Sequence, residues 1–145
     1  MYDPQTNFLN VHEWAYGLTE CVHIVAFAFS FGTIVLVDLG LLGVGLKRIT
    51  PAKLQRELML WTLVGLVVVI TTGFMIFSTD PGRYYVHPVM RLKVTLLAFA
   101  ILYHYTIHQR VVRSDDTGGL GKAVALGSIA VWVSIVFCGL FYAFT

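Results

Sequence analysis

Four long apolar stretches constrain this sequence more than any other feature. They cover about residues 22–46, 58–77, 88–110 and 122–144, and about 20 helical residues cross a hydrocarbon core about 30 Å thick. Hydrophobic residues make up 57% of the chain and charged residues 12%, whereas soluble domains contain roughly 45–50% and roughly 25%. The sequence therefore predicts one all-α domain over residues 1–145, a polytopic four-helix membrane bundle. It excludes a soluble enzyme and a nucleic-acid partner.

Basic residues are distributed unequally between the predicted connections. The side of the membrane opposite the first and third connections holds three basic residues, Arg83, Arg91 and Lys93. Because positive charge marks cytoplasmic loops, the distribution predicts both termini on the outer, periplasmic side. Apolar residues at helical spacing over about residues 10–18 also predict a short interfacial helix before the first span, or an outward extension of the first helix. The first and third connections hold the other seven basic residues: Lys47, Arg48, Lys53, Arg56, Arg110, Arg113 and Lys122.

Ionisable side chains inside the predicted spans need an explanation, because a charge at a helix centre costs roughly 2.5–3.5 kcal/mol on insertion scales. Such groups usually face a partner, a cavity or a cofactor. At a rise of about 1.5 Å per residue, the candidates fall at two levels. His23 matches His87 near the outer surface, and Asp38 matches His104 in the inner half. His108 follows His104 one helical turn further along.

Imidazoles on facing helices at one depth are the ligands that a b-type haem needs in a helix bundle. His23 and His87 form the best such pair, and the haem propionates would reach Arg83, Arg91 or Lys93. An inner haem would have His104 or His108 as its ligand, either five-coordinate or paired across a homo-oligomer, and His104 is the better candidate. In the alternative interpretation, these histidines only form hydrogen bonds, at the membrane interface or between helices.

Three other groups of residues have their own alternatives. His12 and Cys21 lie close together in the sequence on the outer side, and imidazole with thiolate suits copper. Asp38 with His104 favours a static hydrogen bond that fixes helix packing, and a proton relay is the alternative. Cys21 and Cys138 both lie towards the outer surface, where free thiols are favoured over an interhelix disulfide.

Two stretches of the chain resemble a known group of proteins. The first runs from His23-Ile24-Val25 to Asp38-Leu39-Gly40-Leu41-Leu42-Gly43, and the second is His87-Pro88-Val89-Met90-Arg91-Leu92-Lys93, with Trp61 and Thr72-Gly73 between them. Together they resemble a poorly characterised family of small four-helix bacterial inner-membrane proteins. That family is distantly like copper-resistance D proteins and b-type cytochrome bundles. The resemblance implies a bacterial inner membrane and a link to redox or metal chemistry, without an established activity.

These observations predict a small subunit of a larger membrane assembly, in contact with lipid and with other subunits or further copies of itself. The preferred hypothesis is a b-haem-binding electron-transfer subunit without independent catalytic activity. A cofactor-free structural or assembly subunit is the first alternative. The second is a metal or proton conductor that uses Asp38 and His104.

Overall fold

The computed structural model describes residues 4–45 and 48–144, which fold into helices joined by short connections. A 3-10 turn at Pro4–Thr6 precedes the first helix, and a π-helical turn at His104–His108 joins the fifth helix to the sixth. Leu46, the expected end of the first span, and Lys47 lie outside the described residues. The described residues contain no strand, which agrees with the all-α prediction. The helices are α1 (Phe8–Val11), α2 (Glu13–Leu42), α3 (Pro51–Phe77), α4 (Pro81–Val86), α5 (Pro88–Tyr103), α6 (Gln109–Arg113) and α7 (Gly119–Phe144).

Local capping explains where α2 ends and α3 begins. Gly43 has a left-handed φ of 74°, and the N–H of Val44 donates to the carbonyl of Leu39 at 2.9 Å, which closes α2 in the way typical of a glycine C-cap. The Thr50 hydroxyl accepts from the Lys53 N–H at 3.3 Å and opens α3. The first helix therefore ends four residues before the predicted limit of its span, and the second begins seven residues before its predicted start.

Three helices of the described chain, α2, α3 and α7, are long and apolar enough to cross a membrane. This finding fits a multi-pass membrane protein. The predicted span at residues 88–110 is not among the three, because α5 has only 16 residues and stops at Tyr103. Helical structure nevertheless continues through the π-helical turn and α6 as far as Arg113. We call this segment, residues 88–113, the interrupted helix.

The helices pack around two apolar clusters. α2 packs most extensively on α3, and α7 packs on both α2 and α5. The central cluster joins all four long segments and consists of Ile34, Leu66, Ala100, Trp132 and Ile135. The lower cluster consists of Val37, Leu41, Val112 and Ala125.

Most of the apolar surface of the long helices faces outwards. Between 28% and 33% of the residues in the most apolar windows of α2, α3 and α7 are buried inside the protein. Large apolar side chains such as Ile24, Trp61, Phe74, Leu102 and Phe141 are 56–71% exposed. Contiguous apolar surface on this scale is incompatible with a soluble monomer and is expected of helices in contact with lipid.

Residues near both chain termini lie at the same end of the bundle. Asn7 and Asn10 donate side-chain hydrogen bonds to the carbonyls of Ser78 and Thr79, at 3.0 and 2.8 Å. Near the other terminus, the Tyr142 ring packs on Tyr84 and His87. We call this the terminal end, and the end with the α2–α3 and α6–α7 connections the loop end.

The structure has no separate helix over residues 10–18, and most of this segment belongs to α2, as in the alternative of an outward extension of the first helix. α1 ends at Val11, and α2 begins at Glu13, because His12 between them has an extended backbone with φ of −120° and ψ of 99°. The Asn10 side chain donates a hydrogen bond to the Thr79 carbonyl and does not cap a helix over the residues that follow it. Residues 13–18 therefore extend the first long helix towards the terminal end.

Candidate functional site

The most deeply buried polar group of the described chain is a carboxylate–imidazole pair. Asp38 on α2 and His108 on the π-helical turn are both completely buried, and Oδ1 of Asp38 lies 2.5 Å from Nε2 of His108. The His104 ring, 6% exposed, stacks on the His108 ring with a centroid separation of 4.9 Å and an interplanar angle of 27°. We call Asp38, His104 and His108, together with Ser128 on α7, the inner cluster.

The partner of Asp38 is His108, and the predicted pairing of Asp38 with His104 was wrong. The error follows from the helix ends. Asp38 lies four residues before the end of α2, which is about 6 Å along the axis. His108 lies five residues before the end of the interrupted helix, which is about 7.5 Å. These two residues therefore share a level, and His104 lies about one turn higher.

The π-helical turn sets the orientation of the two stacked histidines. Its i→i+5 hydrogen bonds widen the helix locally, and such turns occur frequently at functional sites. Ser128 faces the carboxylate from α7. Asp38 Oδ2, His104 Nδ1, His108 Nδ1 and Ser128 Oγ are all buried without a hydrogen-bond partner among the described residues.

A second polar group, the outer site, lies nearer the terminal end. Nδ1 of His23 on α2 lies 2.9 Å from the Thr72 hydroxyl on α3. That hydroxyl points its hydrogen at the Val68 carbonyl, 2.6 Å away, so its oxygen accepts the N–H of His23 Nδ1. In this arrangement neutral His23 carries its proton on Nδ1 and its free lone pair on Nε2.

Two glycines make room for the side chains of the outer site. A Cβ atom at Gly73 would lie 3.1 Å from the His23 ring, and one at Gly139 would lie 3.3 Å from Lys93 Nζ. Lys93 also acts electrostatically on His23, so the two groups face one region of the bundle. Among the described residues, Lys93 forms no ion pair with a carboxylate. The outer site thus combines an imidazole base with a cation that has no anionic partner within the described part of the chain.

The other predicted ligands have separate surroundings. His87 is the N-cap residue of α5, and its ring packs edge-on against Tyr142 at 4.8 Å. Arg91 is exposed. His12 is exposed and packs against Phe8 at 4.8 Å.

The two cysteines also lie in different environments. Cys21 lines an apolar groove between α2 and α3 together with Phe29 and Trp61. Cys21 and Cys138 are both free, the first exposed and the second buried. Within the described residues, no three His, Cys, Asp or Glu side chains form a group that could hold a metal ion, and this includes the predicted copper residues His12 and Cys21.

An apolar layer separates the outer site from the inner cluster. Along the interrupted helix, Leu97 and Ala100 lie between Lys93 and His104, and both pack into the central cluster. Trp132, at 1% exposure, closes the same layer from α7. On the side of α2 and α3, this layer also contains buried Ser30, Thr33 and Thr62, which hydrogen-bond to one another. None of these hydrogen bonds reaches His23 or Asp38, so we explain each site by its own chemistry.

Sequence reasoning missed three features of these sites: the π-helical turn, the contribution of Ser128, and the Thr72 anchor of His23. The π-helical turn has no signal in residue type or spacing. The Thr72 anchor had one, because the Thr72-Gly73 pair combines a hydroxyl with a space for a ring.

Comparison with known proteins gives a family and no activity. A family model described as a family of unknown function (DUF6644) matches residues 6–145. No curated protein and no solved structure matches this chain. The match agrees with a poorly characterised family, and the likeness to copper-resistance D proteins and cytochrome bundles stays a prediction.

Proposed function

This chain belongs to DUF6644, a family of unknown function, and we propose from its own geometry that it is a b-haem-binding electron-transfer subunit of a larger membrane complex. The observation that supports this proposal is the fixed tautomer of His23. A histidine that ligates a metal normally donates its other ring N–H to a fixed acceptor. The Thr72 hydroxyl is such an acceptor, and it leaves Nε2 of His23 as the base.

The residues around His23 have the chemistry that a haem requires. A haem carries two propionates, and Lys93 offers a cation without a carboxylate partner among the described residues. Gly73 and Gly139 make room on the facing helices for the His23 ring and for Lys93. When bound, a haem would supply one-electron transfer, and His23 would be its first ligand. His87 is proposed as the second ligand, since it starts the helix that carries Lys93, and its ring would have to leave Tyr142.

We also propose the membrane arrangement that such a subunit needs. The interrupted helix would be the fourth span, because its 26 residues would extend about 39 Å. Both termini would lie on the periplasmic side of a bacterial inner membrane, since the loop end carries most of the basic residues. The outward apolar faces would contact lipid and the other subunits or a second copy.

An absorption spectrum of the detergent-purified protein, oxidised and then dithionite-reduced, tests the proposal, with a pyridine haemochrome assay for stoichiometry. We expect a b-type α band at near one haem per chain. His23→Ala should abolish the band while the protein still accumulates in membranes. His12→Ala is the matched control, because His12 is exposed at the same end. An empty spectrum from natively purified protein, or a full band in His23→Ala, would contradict the proposal.

The Thr72 anchor allows a finer test with a control in the next residue. Thr72→Val removes the acceptor of the His23 N–H and is expected to weaken haem binding about 10–100-fold, as loss of an outer-shell partner typically does. Thr71→Val is the control, because Thr71 is exposed and its hydroxyl donates only to the Val67 carbonyl of its own helix. Equal haem affinities in the two variants would contradict the assignment of His23 as a haem ligand anchored by Thr72.

The two alternative functions predict different experimental results. A cofactor-free structural subunit would show no absorbance in the native complex. A metal or proton conductor would carry flux in liposomes that Asp38→Asn stops. The inner-cluster geometry does not favour conduction, because apolar clusters lie on both sides of it along the bundle axis.

A further inference from the structure

The inner cluster contains more unsatisfied polar atoms than a dry site tolerates. Four buried atoms, contributed by α2, the π-helical turn and α7, have no hydrogen-bond partner among the described residues. Each buried donor or acceptor left without a partner destabilises the folded protein. Globular proteins satisfy such groups with internal water, which typically makes about three hydrogen bonds. The concentration of these atoms around one carboxylate–imidazole pair therefore points to a bound ligand.

Counting protons identifies what that ligand must do. A net charge in the membrane interior is costly, so the Asp38–His108 pair is most stable when it is neutral overall. One proton then lies between Asp38 Oδ1 and His108 Nε2, and a second is on His108 Nδ1. In that state His108 Nδ1 is a buried donor with no acceptor among the described residues, and the neighbouring His104 Nδ1 is also without a partner. A single water can accept from the first nitrogen and donate to the second.

We propose that the inner cluster binds a water molecule between His108 and His104. His104, this water, His108 and Asp38 then form a short proton relay that ends at the Asp38–His108 pair. His104 is the entrance, because it keeps 6% exposure whereas Asp38 and His108 have none. A proton that arrives on His104 Nδ1 passes to the water oxygen, and the water passes one of its own protons to His108 Nδ1. One proton enters the relay, the water is regenerated, and the Asp38–His108 pair changes from anionic to neutral.

The residues around Asp38 provide no onward path for a proton. Ser128 from α7 faces the carboxylate, and Tyr103 donates its hydroxyl hydrogen to the Val124 carbonyl at 2.9 Å. On the side of α3, Leu54 and Leu58 pack with the lower cluster. Beyond the lower cluster, titratable groups of the described residues such as Glu57 and Asp115 are exposed at the loop end. The hydrogen bond that the Asp38 side chain makes among the described residues goes to His108 and to none of these groups. The relay therefore stores a proton and does not conduct one across the membrane, and this inference is independent of haem.

Solid-state NMR of the full chain in lipid bilayers tests the relay. Protein with 15N-labelled histidine would receive magnetisation from water protons, and the ring nitrogens would be assigned from His104→Gln and His108→Gln variants. We expect transfer from water to Nδ1 of both His104 and His108, and shifts of the two rings that change together with pH. The exposed His12 serves as a positive control for water transfer, and His23 Nδ1, bonded to Thr72, as the matched protein-bonded nitrogen.

Two outcomes would overturn the inference. If His108 Nδ1 receives no water magnetisation while His12 does, the cluster is dry. If proteoliposomes show proton flux that Asp38→Asn abolishes, the relay is open at both ends. Asp38→Asn removes the proton shared at Oδ1, so it should also uncouple the pH response of the two rings. Coupled shifts that persist in this variant would likewise contradict the relay. A purely structural hydrogen bond would not change with pH in this way.

Discussion

The Asp38–His108 pair leads to a quantitative prediction about folding. Both side chains are completely buried, and the pair is held at 2.5 Å. Replacing His108 with Leu leaves the Asp38 carboxylate buried without its partner, and breaking a buried pair in this way costs about 3–5 kcal/mol. The unfolding equilibrium constant of His108→Leu should therefore rise by roughly two to four orders of magnitude, since about 1.4 kcal/mol corresponds to a factor of ten.

The double variant Asp38→Leu/His108→Leu separates the pair's coupling from the loss of packing. It leaves no uncompensated charge, and hydrophobic replacement of a whole buried pair is often neutral or stabilising by about 1–4 kcal/mol. We expect the double variant to be more stable than either single variant, with a coupling energy of about 3 kcal/mol, the upper part of the range for residues in contact.

Unfolding in mixed micelles with increasing SDS, followed by far-UV circular dichroism, would supply the four free energies of the cycle. His12→Leu is a control for the loss of an exposed histidine and should change the free energy of unfolding by less than about 0.5 kcal/mol. If the double variant loses as much stability as the two single variants together, the two side chains are not coupled. That result would refute the reasoning from burial and distance.

Three further predictions concern helix packing, topology and redox chemistry. Gly65→Val should destabilise the bundle by several kcal/mol, because a Cβ at Gly65 would collide with the Ser30 side chain and overpack a close helix contact. Gly32→Ala is the control, since a Cβ at Gly32 meets nothing within 4 Å. Unfolding in SDS compares the stabilities of the two variants. Alkaline phosphatase fused after residue 145 should be active in the periplasm, and fused within residues 114–118 it should be inactive. Haem in His87→Ala should change from six- to five-coordinate, seen in the Soret band, while His12→Ala leaves the spectrum unchanged.

The membrane class could be predicted from the sequence because it depends on lengths of apolar residues, and three of the four expected segments have the required length and hydropathy. The fourth was predicted as one continuous helix, and the structure interrupts it at His104. A π-helical turn is a property of backbone hydrogen bonding that the tertiary contacts of its side chains stabilise. Its position could not be obtained from composition or periodicity.

The inner pair shows how an error of one helical turn changes a site. The apolar stretch continues past Leu42, so hydropathy extended the first span, although Gly43 is a typical signal for a helix end. Counting from the later end placed Asp38 opposite His104. With the first helix ending at Leu42 and the interrupted helix at Arg113 in place of Arg110, the same counting places Asp38 opposite His108, as observed. Asp38, His104 and His108 could be named as candidates from their residue types, and their pairing required both exact helix boundaries.

The stability argument also bears on function. If Asp38 and His108 served only to fix helix packing, two leucines of similar volume would serve equally well, because a buried ion pair contributes little net stability over an apolar one. Four buried polar atoms without partners among the described residues would make such a purely structural site worse still. A site that combines these costs with a π-helical turn is better explained by proton binding than by packing. A stable double leucine variant that no longer binds protons at His104 would separate the two roles.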